Sequence, residues 1–168
     1  QGKKNGTIFK HGVSLYEKNE IIKILNMSFH PDIIQIPFNI LDNRLYCDGT
    51  IKKLHQLKIL IQARSVFLQG LFYLSEKFWK NTYPNAYDSL INLKGLARVA
   101  KLSLSEFSLA WVNSIKEVSE IIIGVENRKQ LLQHIFLLKK KIDNDIFKEK
   151  IKINFRNEKI LNPAKWKT

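Results

Sequence analysis

The sequence predicts an α/β protein whose strands run parallel and are covered by helices. Four short apolar, β-branched runs occur in order, at 8–13, 32–36, 58–63 and 120–123. Near-continuous apolar runs belong to strands buried on both faces, as in parallel sheets. Each run is followed by a helix-like stretch, and alternation of this kind builds βα units with right-handed crossovers. None of the seven glycines falls in a GxGxxG or GxxxxGK arrangement, so an open nucleotide-binding sheet would lack its phosphate-binding turn. Part of a (β/α) barrel accounts for more. Ser14, Gln35, Arg64 and Gly124 stand at or near the carboxyl ends of the four runs, the rim where barrel enzymes keep their chemistry.

The first run, Ile8 to Val13, ends at Ser14, and Glu17 to Leu25 then reads as a helix with Ile21, Ile22 and Leu25 on one face. The second, Asp32 to Ile36, is introduced by Pro31 and stopped by Pro37. A loop, FNILDNRLYCDG, leads to a short helix from about Thr50 to Gln56. The third run, Lys58 to Ala63, ends at Arg64 and opens a long excursion, SVFLQGLFYLSEKFWKNTYP. Within it Trp79 and Tyr83 suit either plain packing or a substrate wall. Pro84 closes the excursion and a helix of about Ala86 to Lys101 follows. Ser103 with Glu106 three residues on is a capping-box signature. It starts a helix carrying Leu104, Phe107, Ala110, Trp111 and Ile115, with Trp111 read as core. The fourth run, Glu120 to Ile123, precedes Gly124 and a closing helix from about Asn127 to Leu138, its expected apolar face Leu131, Ile135 and Leu138. Residues 139–168 read as a charged tail whose Trp166 anchors against the body.

At 168 residues the chain suits one domain. Its 28 Lys+Arg against 15 Asp+Glu give a net charge of +13. The basic residues are mostly dispersed lysines, and the densest run, Lys139 to Lys141 with Lys148, Lys150 and Lys152, is broken by Asp143, Asp145 and Glu149. Such a run reads as a solvated face, so nucleic acid is a minor alternative. No run of about 18 apolar residues is present to make a membrane helix, and the opening residues lack the apolar stretch of a signal peptide. Cys47 is the single cysteine, which excludes an intrachain disulfide and suits a reducing, cytoplasmic compartment. His11, His30, His55 and His134 share no ligand spacing, so no metal site is expected. Gln1 is not an initiator Met, and the expectation is that the chain begins inside a longer protein.

The segments GVSLY at 12–16, PDIIQIPFNILDNRL at 31–45, ARSVFLQGLF at 63–72 and IIIGVENRKQL at 121–131 appear in order. Together they resemble the second half of an aldo-keto reductase, from about Ile8 to Trp166. The bacterial branch associated with surface-sugar biosynthesis is the nearest in flavour, and the ending NPAKW suits it. The resemblance implies a (β/α)8 TIM barrel of which only the carboxyl-terminal four βα units are present, since such barrels need roughly 250 residues. It also implies NADP(H), with NAD(H) an alternative, and hydride transfer to a small carbonyl or sugar-like substrate.

Carried over residue by residue, the resemblance gives Ser14 and Gln35 to the nicotinamide carboxamide. Arg64 stands where the family often stacks a tyrosine on the ring. Ser65, Val66 and Phe67 occupy the pyrophosphate-side loop. Gly124, Glu126 and Asn127 lie ahead of the last helix, whose N-terminus faces the adenosine phosphate. Gln130 matches a position that often bears a basic residue toward the 2′-phosphate, with Arg128 or Lys129 as substitutes. Leu15 and Val66 depart from the family's asparagine and proline. The family's catalytic tyrosine, lysine, aspartate and histidine all lie in its first four units. None of Tyr16, Tyr46, Tyr73, Tyr83 or Tyr87 matches that tyrosine, so this chain has no catalytic residue to nominate and is expected not to catalyse alone. A non-catalytic dinucleotide-binding half-barrel and a basic scaffold are the alternatives. Half a barrel also exposes two strand edges, near 8–13 and 121–123, from which self-association is expected.

Overall fold

The computed structural model describes residues 2–28, 30–140, 142, 145–148, 155–162 and 166. Four strands, β1 (Gly12–Ser14), β2 (Ile33–Pro37), β3 (Leu60–Arg64) and β4 (Glu120–Ile121), form one sheet in that order, and every neighbouring pair is parallel. Between them lie α1 (Lys18–Leu25), α2 (Arg44–Cys47), α3 (Thr50–Gln56), α4 (Glu76–Thr82), α5 (Pro84–Val99) and α6 (Leu104–Ser114). After β4 come α7 (Arg128–Lys139), α8 (Asp145–Lys148) and α9 (Glu158–Leu161). This is the predicted parallel sheet covered by helices.

The period of two along the strands gives the sheet two unlike faces. Ile34, Ile36, Ile61 and Ala63 are fully buried in the main apolar cluster, and Val13 and Ile121 pack against it. Between them in sequence, Gln35, Gln62 and Arg64 are only half-buried and lie on the opposite, polar face. Gly12 is required by the close approach of β1 to β2, because a Cβ there would lie 2.7 Å from the Ile33 carbonyl oxygen.

Several boundaries differ from expectation. β1 begins only at Gly12: the amides of Thr7 and Ile8 donate to the Gly2 carbonyl, a local turn that keeps Ile8 and Phe9 off the ladder and exposed. β4 is two residues long, although the Ile122 amide still donates to the Ala63 carbonyl at 2.8 Å. Helix α2 lies in the stretch read as a loop, and α4 in the long excursion. Helix α4 is started by Ser75, whose hydroxyl accepts from the Phe78 amide. The capping box at Ser103 is present: its hydroxyl accepts from the Glu106 amide, and its own amide donates to Glu106 Oε2 at 2.8 Å.

The closing helix is where the sequence misleads. Leu131, Ile135 and Leu138 are exposed, and α7 instead buries His134 and Leu137. The helix follows β4 and packs on α6, and it is His134 and Leu137 that this packing covers. The apolar stripe that periodicity selects is therefore not the stripe that finds a partner. His134 stacks on Phe67 with ring centroids 5.1 Å apart and planes 24° from parallel.

Burial holds the His134 imidazole below the usual histidine range, with the Glu106 carboxylate opposing the shift. An unfolded histidine titrates near about 6.5, so below that the unfolded chain binds the proton more readily than the folded one. Stability is therefore expected to be level above that pH and to fall as the solution is acidified through it toward the lower folded value. Thermal midpoints measured from neutral pH to about one unit below 6.5 should drop for the wild type and change less for His134→Phe. Parallel curves would remove His134 as the cause.

Parts of the tail pack onto the body. Phe147, Phe155, Ile160 and Leu161 are buried, the Phe147 ring lies 5.3 Å from Phe107, and Trp166 donates to the Ile160 carbonyl at 2.9 Å with its ring against Tyr83. Trp166 thus anchors as expected. Lys141, Lys150, Lys152, Asp143 and Glu149 of the predicted charged run lie outside the described residues, as do Gln1 and the Pro163 to Lys165 part of the NPAKW ending. Among the described residues no helix is long and apolar enough to cross a membrane.

Candidate functional site

Parallel strands in register put residues of equal height beside one another. Ser14 of β1, Gln35 of β2, Gln62 of β3 and Glu120 of β4 are successive register partners, so one polar residue from each strand forms a row across the sheet. The row is hydrogen-bonded end to end. Ser14 Oγ donates to Gln35 Oε1 at 3.2 Å, Gln35 Nε2 to Gln62 Oε1 at 3.3 Å, and Gln62 Nε2 to Glu120 Oε2 at 2.6 Å.

Arg64, two residues beyond Gln62 and so on the same face, closes the row at its other end. Its Nε donates to Ser14 Oγ at 3.4 Å and its Nη1 to Ser65 Oγ at 3.3 Å, while the guanidinium carbon sits 4.3 Å from the centre of the Tyr16 ring. A cation over an aromatic face is held by the ring quadrupole. Tyr16 thus covers one face of the Arg64 guanidinium.

Beyond Arg64 the chain makes an unusual loop. Ser65, Leu68 and Gln69 have φ of 55°, 45° and 52°, and Gly70 has 83°. Left-handed backbone suits glycine and costs other residues about 1–3 kcal/mol each, so it persists only where the surroundings enforce it. Here they do. Asn39 Nδ2 donates to the Ser65 carbonyl at 3.0 Å, Ser108 Oγ to the Val66 carbonyl at 2.8 Å, and the Leu68 side chain is fully buried. The side chains of Val66 and Phe67 are buried as well, which leaves much of that loop's polar chemistry to its backbone.

The loop forms one wall of a cleft of about 820 Å³; the segment after β4 forms the other. The cleft brings together Arg64, Ser65, Val66 and Phe67 with Gly124, Glu126 and Gln130. Ser14 and Gln35 do not line it but reach it through Arg64. Asn127 works from behind: its side-chain oxygen accepts from the Gln130 amide and caps α7. Gln130 Oε1 accepts from the Glu126 amide at 2.8 Å, so part of its side chain is used to hold the loop. A Cβ on Gly124 would meet nothing within 4 Å, so what glycine contributes there is room in the cleft.

Arg128 and Lys129 line a different surface with Leu132 and Phe136, on the outer side of α7. Neither is among the residues that line the cleft. Residues that sequence reasoning missed are Gln62 and Glu120 in the row, Tyr16 against Arg64, Asn39 and Ser108 behind the loop, and Gln69 and Tyr73 in the cleft wall. Gln62 was findable, because a strand residue two before Arg64 must share its face. The others depend on pairing and packing between distant segments.

A parallel sheet with helices on one face, polar strand tips on the other and a cleft at the carboxyl ends defines part of a (β/α) barrel of the enzyme-bearing kind. The model of the aldo/keto reductase family matches residues 1–154, and the chain belongs to that family. Two solved structures share its fold. One is the holo form of an aldo-keto reductase from Bacillus halodurans, with a TM-score of 0.72 and 20% identity over 94% of this chain and 55% of that one. The other is a thermostable aldo-keto reductase in complex with the inhibitor epalrestat, with a TM-score of 0.64 and 20% identity over 88% of this chain and 49% of that one. The chain thus spans about half the length of these structures. No curated protein matches it.

Proposed function

We propose that this chain is the cofactor-side half of an NAD(P)H-dependent aldo-keto reductase, acting on a small carbonyl or sugar-like substrate. The observation that carries the reading is the continuity of the polar row with the cleft through Arg64. The donor set fits the cofactor. After its two bonds within the row, the Gln35 amide keeps one N–H and one oxygen lone pair, the complement of a primary carboxamide. In this reading Ser14 and Gln35 orient the nicotinamide end, with Arg64 beside them. Ser65, Val66 and Phe67 meet the pyrophosphate. Gly124, Glu126, Asn127 and Gln130 receive the adenosine end at the start of α7.

The dinucleotide, when bound, supplies the hydride. This chain's residues bind and orient it. No tyrosine here is nominated as proton donor, and burial of Tyr83 pushes its phenol further from neutral pH, against what general acid work needs. The chain by itself therefore binds without turnover. NADP(H) remains the leading cofactor. Arg64 is the cation among the described residues lining the cleft, so the choice between NADP(H) and NAD(H) is left to titration.

Calorimetric titration of NADPH and NADH into the full chain tests this. Saturable binding is expected, weakened about tenfold or more by Gln35→Leu, which leaves the carboxamide's polar atoms unpaired. Gly124→Phe, which fills the cleft, is expected to abolish it. Absence of saturable binding, or binding indifferent to both variants, overturns the proposal.

A further inference from the structure

The polar row has a direction. A carboxylate oxygen only accepts hydrogen bonds, so Gln62 must turn its NH2 group to Glu120, as the 2.6 Å contact shows. That leaves Gln62 Oε1 toward Gln35, which must then present its own NH2 group. Gln35 Oε1 is left toward Ser14, whose hydroxyl donates to it. At the far end a guanidinium only donates, and it donates to the Ser14 oxygen. Acceptor-only Glu120 and donor-only Arg64 thus fix the sense of every bond between them. A primary amide alone is nearly symmetric in shape and can be turned end for end; a chain with charged termini of opposite kind cannot be reversed without orphaning two bonds. Bonds of one sense also polarise one another.

We infer that Glu120, acting through Gln62, is a positioning residue that sets which end of the Gln35 amide faces Ser14 and hence what the rim offers a ligand. It deepens the dinucleotide reading, because its consequence is discrimination between a carboxamide and a group lacking the amide N–H. Its structural content stands without any ligand. Loss of the Glu120 carboxylate frees Gln62 to turn over, Gln35 can follow, and the Ser14 hydroxyl loses its fixed acceptor. The effect travels across two strands with no change in packing, since these side chains lie on the half-exposed polar face.

Two measurements on the full chain test it. The first needs no ligand. In ¹⁵N-labelled protein the Gln35 side-chain amide pair is expected to move in Glu120→Ala and in Gln62→Leu, and to stay in place in Glu117→Ala, which removes a nearby carboxylate outside the row. Glu120→Gln, which retains an acceptor oxygen, is expected to restore the wild-type position in part. An unmoved Gln35 pair in folded Glu120→Ala protein overturns the inference, whatever binds. The second compares NADP⁺ with its 3-acetylpyridine analogue, whose methyl ketone lacks the amide N–H. The wild-type preference for the carboxamide is expected to shrink severalfold in Glu120→Ala. An unchanged preference alongside a moved Gln35 signal overturns the functional half. If the wild type binds neither dinucleotide, the cofactor reading fails while the Gln35 resonances still decide the positioning role.

Discussion

Trp79→Ala is expected to destabilise the protein by about 3–5 kcal/mol, the range for removing a buried aromatic from a packed core. Trp79 on α4 is 1% exposed, its indole N–H donates to the Leu71 carbonyl at 2.9 Å, and the Lys94 ammonium sits 5.7 Å from its ring centre. Truncation removes the ring, opens a cavity and takes one of the two donors from the Leu71 carbonyl, which keeps the Leu74 amide, just after the left-handed loop at Ser65 to Gly70. Trp79→Phe keeps most of the apolar area and loses only the hydrogen bond, so a smaller cost of about 1–2 kcal/mol is expected. Urea unfolding of the three proteins gives the differences. A cost below about 1 kcal/mol for Trp79→Ala, under the floor for emptying a core site, would mean that the ring stands outside the core as a wall.

Asn39→Ala is expected to cost about 2–3 kcal/mol, because it orphans the Leu41 and Asp42 amides at roughly 1 kcal/mol or more each and takes one of the two donors from the Ser65 carbonyl, which keeps the Leu68 amide. Asn39 is fully buried; its Oδ1 accepts from the amides of Leu41 and Asp42 at 3.0 and 2.8 Å, and its Nδ2 donates to the Ser65 carbonyl. It therefore ties the turn after β2 to the loop after β3 at the edge of the cleft. Asn39→Asp keeps the accepting oxygen and replaces the donor with a second acceptor facing the Ser65 carbonyl. It should recover the turn but not the loop. Hydrogen exchange separates the two: amides of residues 65–70 are expected to lose protection in both variants, those of Leu41 and Asp42 mainly in Asn39→Ala. Equal protection of the loop in wild type and both variants would mean that Asn39 does not hold it.

Much of the fold was readable from local chemistry. Helix α3 was placed at its observed Thr50–Gln56 bounds, Ser103 and Glu106 formed the predicted capping box, and the apolar cores of β2 and β3 fell within the predicted runs. What failed did so where local signals are silent. Periodicity describes a helix by itself and cannot say which flank meets a neighbour, so α7 buried His134 and Leu137 in place of the Leu131 stripe. The turn at Gly2 to Ile8 shortened β1 for a reason invisible in the run's hydrophobicity.

By itself the chain's order of residues determined the parallel α/β architecture, since β-branched runs alternating with capped helices leave few other ways to bury apolar surface. It also determined which strand tips are polar. Register and packing decided the rest. Only the pairing of β1 to β4 sets Ser14, Gln35, Gln62 and Glu120 side by side, and Asn39 and Ser108 reach in from distant segments to help hold the loop at Ser65 in its left-handed form. Hydrogen bonds between residues far apart in sequence exist only once the sheet has closed the distance, and no local pattern encodes them.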